Sequence, residues 1–278
     1  MTVEYVRAPS GQLFPKVTME ASAGQLRADI VDLTDLPLVD ALVKQDILAP
    51  HKVPNFDSID DVLKDPDGRW YTMVRLIYIL GVNSAVIDPN TVKSWHDLTK
   101  PELKGSVGLP SIEAGGSAFS AYTFLRKQIG PEFLDALAAN APRIYPSVAP
   151  AMNDLARGEV SIGMITATTM QPQIALGAPV VPIYPEEGIP GFPISGGLTR
   201  AAIHPNAAKV YLNWITSLPG SNAVAATGGY GLSLGAARPV LGDLRLPEVD
   251  SLWNISLSDW VELRDKYIAD WHKTFGAD

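Results

Sequence analysis

Short apolar runs alternate along the chain with segments that have the spacing of amphipathic helices. The run Ala28–Leu33 is mostly apolar, as strands of a buried parallel sheet are, and Val160–Thr166 has the same character. After the first of these runs, Val39, Leu42 and Val43 recur at three- to four-residue spacing and predict the buried face of a helix. Strands that alternate with helices in this way are typical of α/β proteins.

Two longer runs depart from this alternation. Tyr71–Val82 is apolar on both faces, and Phe192–Ile203 is a second stretch of the same kind after a segment rich in proline and glycine. Both suit strands that pass from one lobe to another. The pattern therefore predicts two lobes, each a mixed sheet flanked by helices: lobe 1 from residues 1–80 and 197–278, and lobe 2 from residues 81–196.

The two ends of the chain also show clear patterns. Val3–Val6 is predicted as a strand, and Ser10 as the N-cap of the helix that follows it. The segment Leu257–Thr274 is predicted as a helix. The predicted packing face of that helix consists of Trp260, Leu263, Tyr267 and Trp271.

Composition narrows the function classes. The chain has 278 residues, a net charge of −8 and scattered acidic side chains, which argues against a nucleic-acid partner. It contains no cysteine, which excludes disulfides, thiolate catalysis and cysteine-ligated metals. The longest apolar stretch, near Val74–Val82, is too short to span a bilayer. No leader pattern precedes the strand-like start of the chain.

Enzymatic motifs are weak. Gly231–Gly235 matches the GxSxG pattern of a nucleophile elbow, with Asp259 and His272 downstream, but Pro239 would break the helix that the motif requires. The four histidines are dispersed, and no glycine-rich nucleotide fingerprint is present. These observations predict a protein that is not an enzyme and that has no cofactor and no resident metal.

Three phrases in fixed order carry a family resemblance: SWHDLTKPELKGSVGLPS (Ser94–Ser111), LARGEVSIGMI (Leu155–Ile165) and AAIHPNAAKVYLNWITS (Ala201–Ser217). Together they resemble the type 2 periplasmic solute-binding proteins of ABC transporters, in the group that includes ferric-ion-binding proteins and their relatives for organic ligands. The resemblance runs through most of the chain.

The resemblance implies a two-lobed type 2 periplasmic-binding fold with a ligand cleft and hinges near Leu80–Asn83 and Ile194–Leu198. It implies a monomeric protein, periplasmic or extracellular, that captures a small solute and delivers it to an ABC-transporter permease. A ligand-sensing regulatory domain of the same fold is the alternative, and an enzyme recruited from the scaffold is a third hypothesis.

Two departures from the family pattern bear on the ligand. Family members begin with a further strand and helix, so Val3–Val6 is expected to be the second strand of its lobe. Where ferric-binding members carry adjacent tyrosines, this chain has Thr168 and Thr169, and Thr34 stands where an acidic ligand is expected. Neutral hydroxyls suit ferric iron poorly. A small organic or oxyanion solute, expected to be anionic, is therefore preferred over ferric iron.

The candidate ligand residues follow predicted strands or open predicted helices. Hydroxyls and free N–H groups at such places suit an anion, glycines allow close approach, and arginine forms forked contacts to carboxylate or phosphonate groups. Each position also has a structural reading as a cap, a turn or a surface ion pair. The candidates are Arg7, Ser10, Gly11, Thr34, Asp35, Gly115, Gly116, Ser117, Thr166, Thr168, Thr169 and Tyr230.

Overall fold

The computed structural model describes residues 2–276. Its α-helices are α1 Ser10–Ser22, α2 Leu36–Lys44, α3 Gly116–Phe124, α4 Pro131–Ala139, α5 Val148–Arg157, α6 Ala167–Ala175, α7 Pro205–Ile215, α8 Leu218–Ala225 and α9 Leu257–Phe275. Its strands are β1 Ile30–Leu33, β2 Tyr71–Asn83, β3 Val107–Pro110, β4 Arg143–Tyr145, β5 Ile162–Thr166, β6 Val180–Ile183, β7 Pro190–Leu198, β8 Tyr230–Gly231, β9 Val240–Leu241, β10 Leu244–Arg245 and β11 Trp253–Asn254. The predicted α/β class is confirmed.

The chain divides into two compact units, and β2 and β7 each contribute residues to both. Unit 1 runs to Arg75 and resumes over Pro193–Arg238, and unit 2 contains Leu76–Phe192 and the chain from Pro239 onward. The division differs from the sequence-based lobes at the C-terminal end. The segment from Pro239 packs with unit 2 because α9 carries large aromatic side chains that fit against α3 and α4.

Unit 1 is built on β1 and the neighbouring parts of β7 and β2. β1 pairs antiparallel with β7, and Val74 and Arg75 of β2 pair with β8. Val31 and Leu33 alternate toward a core that also contains residues of α1 and α2. The carboxyl end of β1 lies beside the start of α2 because only two residues separate the two elements.

Unit 2 has a sheet in which three parallel strands lie next to each other. β3 pairs in parallel with β4 on one side and with β5 on the other, while β2 runs antiparallel to β5. Each of the three parallel strands is followed by a helix: α3 after β3, α5 after β4 and α6 after β5. The carboxyl ends of parallel strands meet at one edge of a sheet, so the three helices begin at that edge.

The long C-terminal helix α9 buries the face that its spacing predicts. Trp260 and Trp271 are buried in the core of unit 2, and Leu263 and Tyr267 pack against that core. The predicted packing face is therefore confirmed.

The predicted strand at Val3–Val6 is wrong. The segment has no regular structure, and Val3, Tyr5 and Val6 are exposed. A strand forms only when a neighbour completes its hydrogen bonds, and among the described residues β1 pairs with β7 alone. Val3–Val6 pairs with no strand of the described chain, and apolar spacing does not by itself supply the partner that a strand requires.

Candidate functional site

Three helices of unit 2 begin at the same sheet edge, where the predicted ligand residues of that unit lie. The N-cap residues of α3, α5 and α6 are Gly115, Ser147 and Thr166, and none of the three has a side chain that accepts a hydrogen bond from a backbone N–H of its helix. The first N–H groups of a helix have no partner within the helix, and the helix dipole adds positive potential there. This edge therefore offers hydrogen-bond donors without an opposing side-chain cap.

Glycine is required where the chain enters α3. Gly115 has φ 124° and ψ −178°, in a backbone region that side-chain-bearing residues rarely adopt. Gly116 is buried and opens the helix, and Ser117 is partly exposed beside it. The two glycines thus bring the backbone of the turn close to the helix start, and the Ser117 hydroxyl lies at the same place.

Hydroxyl groups link this edge to the sheet. The Tyr78 hydroxyl of β2 lies 3.4 Å from the Ser117 hydroxyl, and the Thr166 and Thr169 hydroxyls are 2.6 Å apart. Tyr78 is opposite Thr166 in the β2–β5 register. Burial raises the pKa of the Tyr78 phenol far above its usual value, so it stays neutral and keeps its proton. Thr168 is partly exposed next to this cluster.

Unit 1 brings two predicted residues into direct contact. The Ser10 hydroxyl lies 3.0 Å from the Thr34 hydroxyl and accepts a hydrogen bond from the Thr34 N–H at 3.0 Å. The N-cap of α1 is Pro9, not Ser10 as predicted, because the Ser10 side chain turns toward Thr34 instead of its own helix. With 4% of its surface exposed, Ser10 joins the start of α1 to the end of β1.

Two carboxylates belong to the same junction of unit 1. Asp35 is the N-cap residue of α2 and is buried, without a side-chain hydrogen bond to that helix. Asp32, on β1, is exposed. Sequence analysis selected Asp35 and passed over Asp32, although the polar residue inside an otherwise apolar strand was a visible signal. The junction of unit 1 thus carries acidic groups, where that of unit 2 carries neutral hydroxyls.

The remaining candidates of unit 1 lie apart from the Ser10–Thr34 contact. Arg7 is exposed in the irregular N-terminal segment. Gly11 is exposed, with no heavy atom within 4 Å of the place where a Cβ would stand. Tyr230 is buried in β8, opposite Arg75 of β2. Ligand roles for these three residues stay predictions.

Sequence reasoning missed two polar groups of unit 2. Tyr78 lies within a long apolar strand, and only the fold shows that its hydroxyl reaches the start of α3. Ser147 was not selected, because the position of α5 depends on the parallel pairing of β3 and β4. The pattern of a strand followed by a polar residue and a helix is a signal for Ser147, whereas no local pattern marks Tyr78.

Two other kinds of site are not found in the described chain. Across residues 2–276 there is no group of three or more histidine, cysteine or acidic side chains arranged to hold a metal ion. The GxSxG sequence lies in β8 and the turns after it, and no helix occurs within residues 232–239. Within the same described range, no helix is both long and apolar enough to cross a membrane.

Comparison with known proteins places this architecture in a family. The sequence profile described as bacterial extracellular solute-binding protein matches residues 1–229. This chain belongs to that family. Membership groups it with binding proteins and not with enzymes, and the resemblance inferred from the three sequence phrases is confirmed.

Two curated proteins show how much of this chain its relatives share. The spermidine/putrescine-binding periplasmic protein of Escherichia coli K12 is 30% identical over 211 residues, 71% of this chain and 59% of that protein. An uncharacterised protein of Haemophilus influenzae is 29% identical over 231 residues, 78% of this chain and 65% of its own length. The matched region thus spans about 60% of the length of these relatives.

Solved structures confirm the periplasmic-binding fold. The periplasmic binding protein AfuA of Actinobacillus pleuropneumoniae, with exogenous fructose-6-phosphate bound, has a TM-score of 0.80 at 20% identity, covering 99% of this chain and 90% of that chain. The ferric binding protein of Campylobacter jejuni has a TM-score of 0.71 at 15% identity, covering 99% and 91%. At such identities the likeness shows the fold alone.

Proposed function

We propose that this solute-binding protein captures a small solute through an anionic group, which the starts of α3, α5 and α6 in unit 2 hold. The observation that carries this proposal is the set of three helix starts without side-chain caps at one sheet edge. Backbone N–H groups at helix starts bind phosphate, sulfate and carboxylate groups. Three helix starts at one edge offer more N–H donors than a single helix start does.

The side chains at this edge agree with an anionic group. Ser117, Thr168 and Thr169 present hydroxyls, which donate to an anion as well as accept. Their neutrality matters because a carboxylate at the same place would repel the ligand. The same neutrality supports an organic anion or oxyanion over a ferric ion, which prefers anionic oxygen ligands.

Unit 1 supplies the complementary chemistry. The Asp35 and Asp32 carboxylates accept hydrogen bonds, so this junction suits a hydroxyl group of a solute. We further propose that both units engage one solute, that the β2 and β7 crossings act as hinges, and that the protein works in the periplasm with an ABC-transporter permease. Family membership supports these steps.

A cationic polyamine is the second candidate. The E. coli relative carries spermidine and putrescine in its name, and the two carboxylates of unit 1 suit an ammonium group. The two candidates make opposite demands on unit 2. The helix starts of unit 2 attract an anion and repel the ammonium groups of a polyamine.

A thermal-shift screen tests the proposal with inorganic phosphate, fructose 6-phosphate, spermidine and ferric iron. Binding to the folded state raises the melting midpoint by mass action. We expect the phosphate compounds to raise it, and Thr168→Ala combined with Thr169→Ala to weaken their affinity about tenfold while the ligand-free midpoint stays nearly unchanged.

A matched control separates the site from general effects of losing two threonines. Thr91 and Thr99 also lie in unit 2, and their hydroxyls bond only to carbonyls of their own turns. Replacing both by alanine should leave the affinity for phosphate compounds as it is. A midpoint that rises with spermidine alone, or equal affinity of the wild type and the Thr168/Thr169 variant, would contradict the anion proposal.

A further inference from the structure

The segment from Pro239 to Gly276 lies beyond the region that the family profile matches, yet it belongs to unit 2. It contains the paired strands β9 and β10 and the helix α9. Each of these two parts packs against one of the helices whose starts form the proposed anion edge. Their contacts give the segment a role beyond closing the core.

Helix α9 is joined to α3 along its length. The rings of Trp260 and Phe119 are 6.3 Å apart, and those of Trp271 and Tyr122 are 6.0 Å apart in an edge contact. Aromatic pairs in such geometries add to the stabilisation that burial gives. Because both pairs involve side chains of α3, the axis of this helix is fixed by α9.

Ion pairs hold the turn that follows α3. Arg126 contacts Asp270 at 2.9 Å, and Lys127 contacts Asp259 at 2.5 Å. The two acidic residues lie three helical turns apart on α9, so the end of α3 is attached to α9 at two separated points.

The turn between β9 and β10 contacts α6. The Gly242 N–H donates to the Gln171 side-chain oxygen at 2.9 Å. The place where a Cβ would stand on Gly242 is 3.3 Å from Ile174, so this turn lies directly on the helix. Gln171 is two residues beyond Thr169 and three beyond Thr168, within one helical turn of the proposed ligand hydroxyls.

A third contact reaches the ligand edge itself. His272 of α9 lies with its Nε2 3.5 Å from a Glu113 carboxylate oxygen, and 27% of the His272 side chain is exposed. Glu113 belongs to the short turn Ile112–Ala114 that leads into Gly115. The Glu113 N–H is held by the Ser111 hydroxyl at 3.2 Å. The turn before α3 is therefore capped by Ser111 at its start and contacts α9 through Glu113.

We propose that the segment from Pro239 to Gly276 is a positioning element that holds the starts of α3 and α6 in place for the ligand, with His272 as the residue that fixes the turn before α3. This inference rests on the proposed anion edge and names the part of the chain that orders it. His272 acts through Glu113 and is a positioning residue. The same contact takes the Glu113 carboxylate, the acidic group nearest Gly115 in the sequence, toward α9.

Amide hydrogen exchange tests the positioning role without any ligand. In the full chain, His272→Leu removes the polar group that contacts Glu113, and His272→Gln keeps a side chain with an N–H group at a similar place. We expect exchange in residues 111–118 to become about two- to fivefold faster in His272→Leu and to stay near the wild-type rate in His272→Gln. Arg143→Gln, which removes an exposed ion pair of 4.0 Å elsewhere in unit 2, is the control and should change nothing there.

Phosphate affinity, measured with inorganic phosphate, is the second readout. We expect it to weaken about two- to fivefold in His272→Leu and to recover in His272→Gln. Unchanged exchange in His272→Leu, an acceleration spread evenly over unit 2, or faster exchange with unchanged phosphate affinity would each overturn the positioning role. A wild type that binds neither phosphate nor any other anion overturns the anion proposal instead, while the exchange result still shows whether His272 orders the turn.

Discussion

The two units use the same junction of strand and helix in different ways. In unit 1, the Ser10 hydroxyl accepts from the Thr34 N–H, and the neighbouring Asp35 is a buried carboxylate. In unit 2, the Thr166 and Thr169 hydroxyls bond to each other and three helix starts lie at one edge. The junction of unit 1 is acidic, and its hydroxyl groups bond to each other and to the backbone. The junction of unit 2 is neutral and rich in N–H donors.

The same kind of junction can thus carry opposite chemistry. Helix starts attract negative charge and carboxylates attract hydrogen-bond donors, so the two junctions favour different chemical groups. The units also differ in the packing of their helices, because α9 and the β9–β10 turn belong to unit 2 and pack against α3 and α6. Variants that act on one junction at a time test this difference between the units.

The largest effect is expected from Gly115→Ala in unit 2. The φ of 124° at Gly115 strains any residue with a Cβ, so the turn should move and displace the start of α3. A penalty of about 2 kcal/mol would weaken phosphate affinity about thirtyfold, measured by calorimetric titration. Gly105, with φ 75° and open space where a Cβ would stand, gives the control: Gly105→Ala should lower stability without changing affinity. Equal loss of affinity in both variants would refute the role of the α3 start.

A smaller effect of another kind is expected from Ser10→Ala in unit 1. The substitution leaves the Thr34 N–H without its acceptor in a partly buried place, which should cost about 1–2 kcal/mol of unfolding free energy in urea denaturation. Phosphate affinity should stay within about twofold, because this hydroxyl serves the fold. Ser58→Ala, which removes an exposed hydroxyl of the same unit, is the matched control. Weaker binding at unchanged stability would reverse the comparison between the units.

The smallest effect is expected at the contact between Lys127 and Asp259 in unit 2, and it depends on pH. The hydrogen bond from Lys127 lowers the pKa of Asp259. A lowered pKa in the folded state stabilises the protein above the unfolded pKa of about 3.9, and this contribution disappears as pH falls through the folded value.

Asp259→Asn should therefore cost a few tenths of a kcal/mol at pH 7, and the cost should vanish near pH 2. Urea denaturation of both proteins across this range measures it. A cost that persists unchanged at pH 2 would show that the contact stabilises by packing and not by charge.

Sequence periodicity predicted the longest helix and the longest strand of the described chain. Leu257–Thr274 was predicted as a helix with a face of four large side chains, and α9 buries or packs all four. The strand Tyr71–Val82 was predicted within one residue of β2. These elements could be predicted because their apolar residues repeat at the period of the helix or strand that they form.

The residues of the candidate site were harder to predict from the sequence. The strand-to-helix rule selected Thr166 and Ser117 correctly as neighbours of helix starts. It gave Ser10 a capping role that the structure assigns to Pro9, because the Ser10 hydroxyl prefers a backbone donor from a distant strand. The hydroxyl of Tyr78 was invisible, since the partner of a side chain in a buried strand depends on pairing between segments far apart in sequence.

The amino-acid sequence alone was enough to establish the α/β class and the solute-binding family. These properties lie in residue types and local spacing, which a chain displays before it folds. Only the tertiary structure decided that Val3–Val6 forms no strand and that the segment from Pro239 joins unit 2. The reason is physical: a strand needs a partner edge and an amphipathic helix needs a complementary face, and both are supplied by residues distant in sequence.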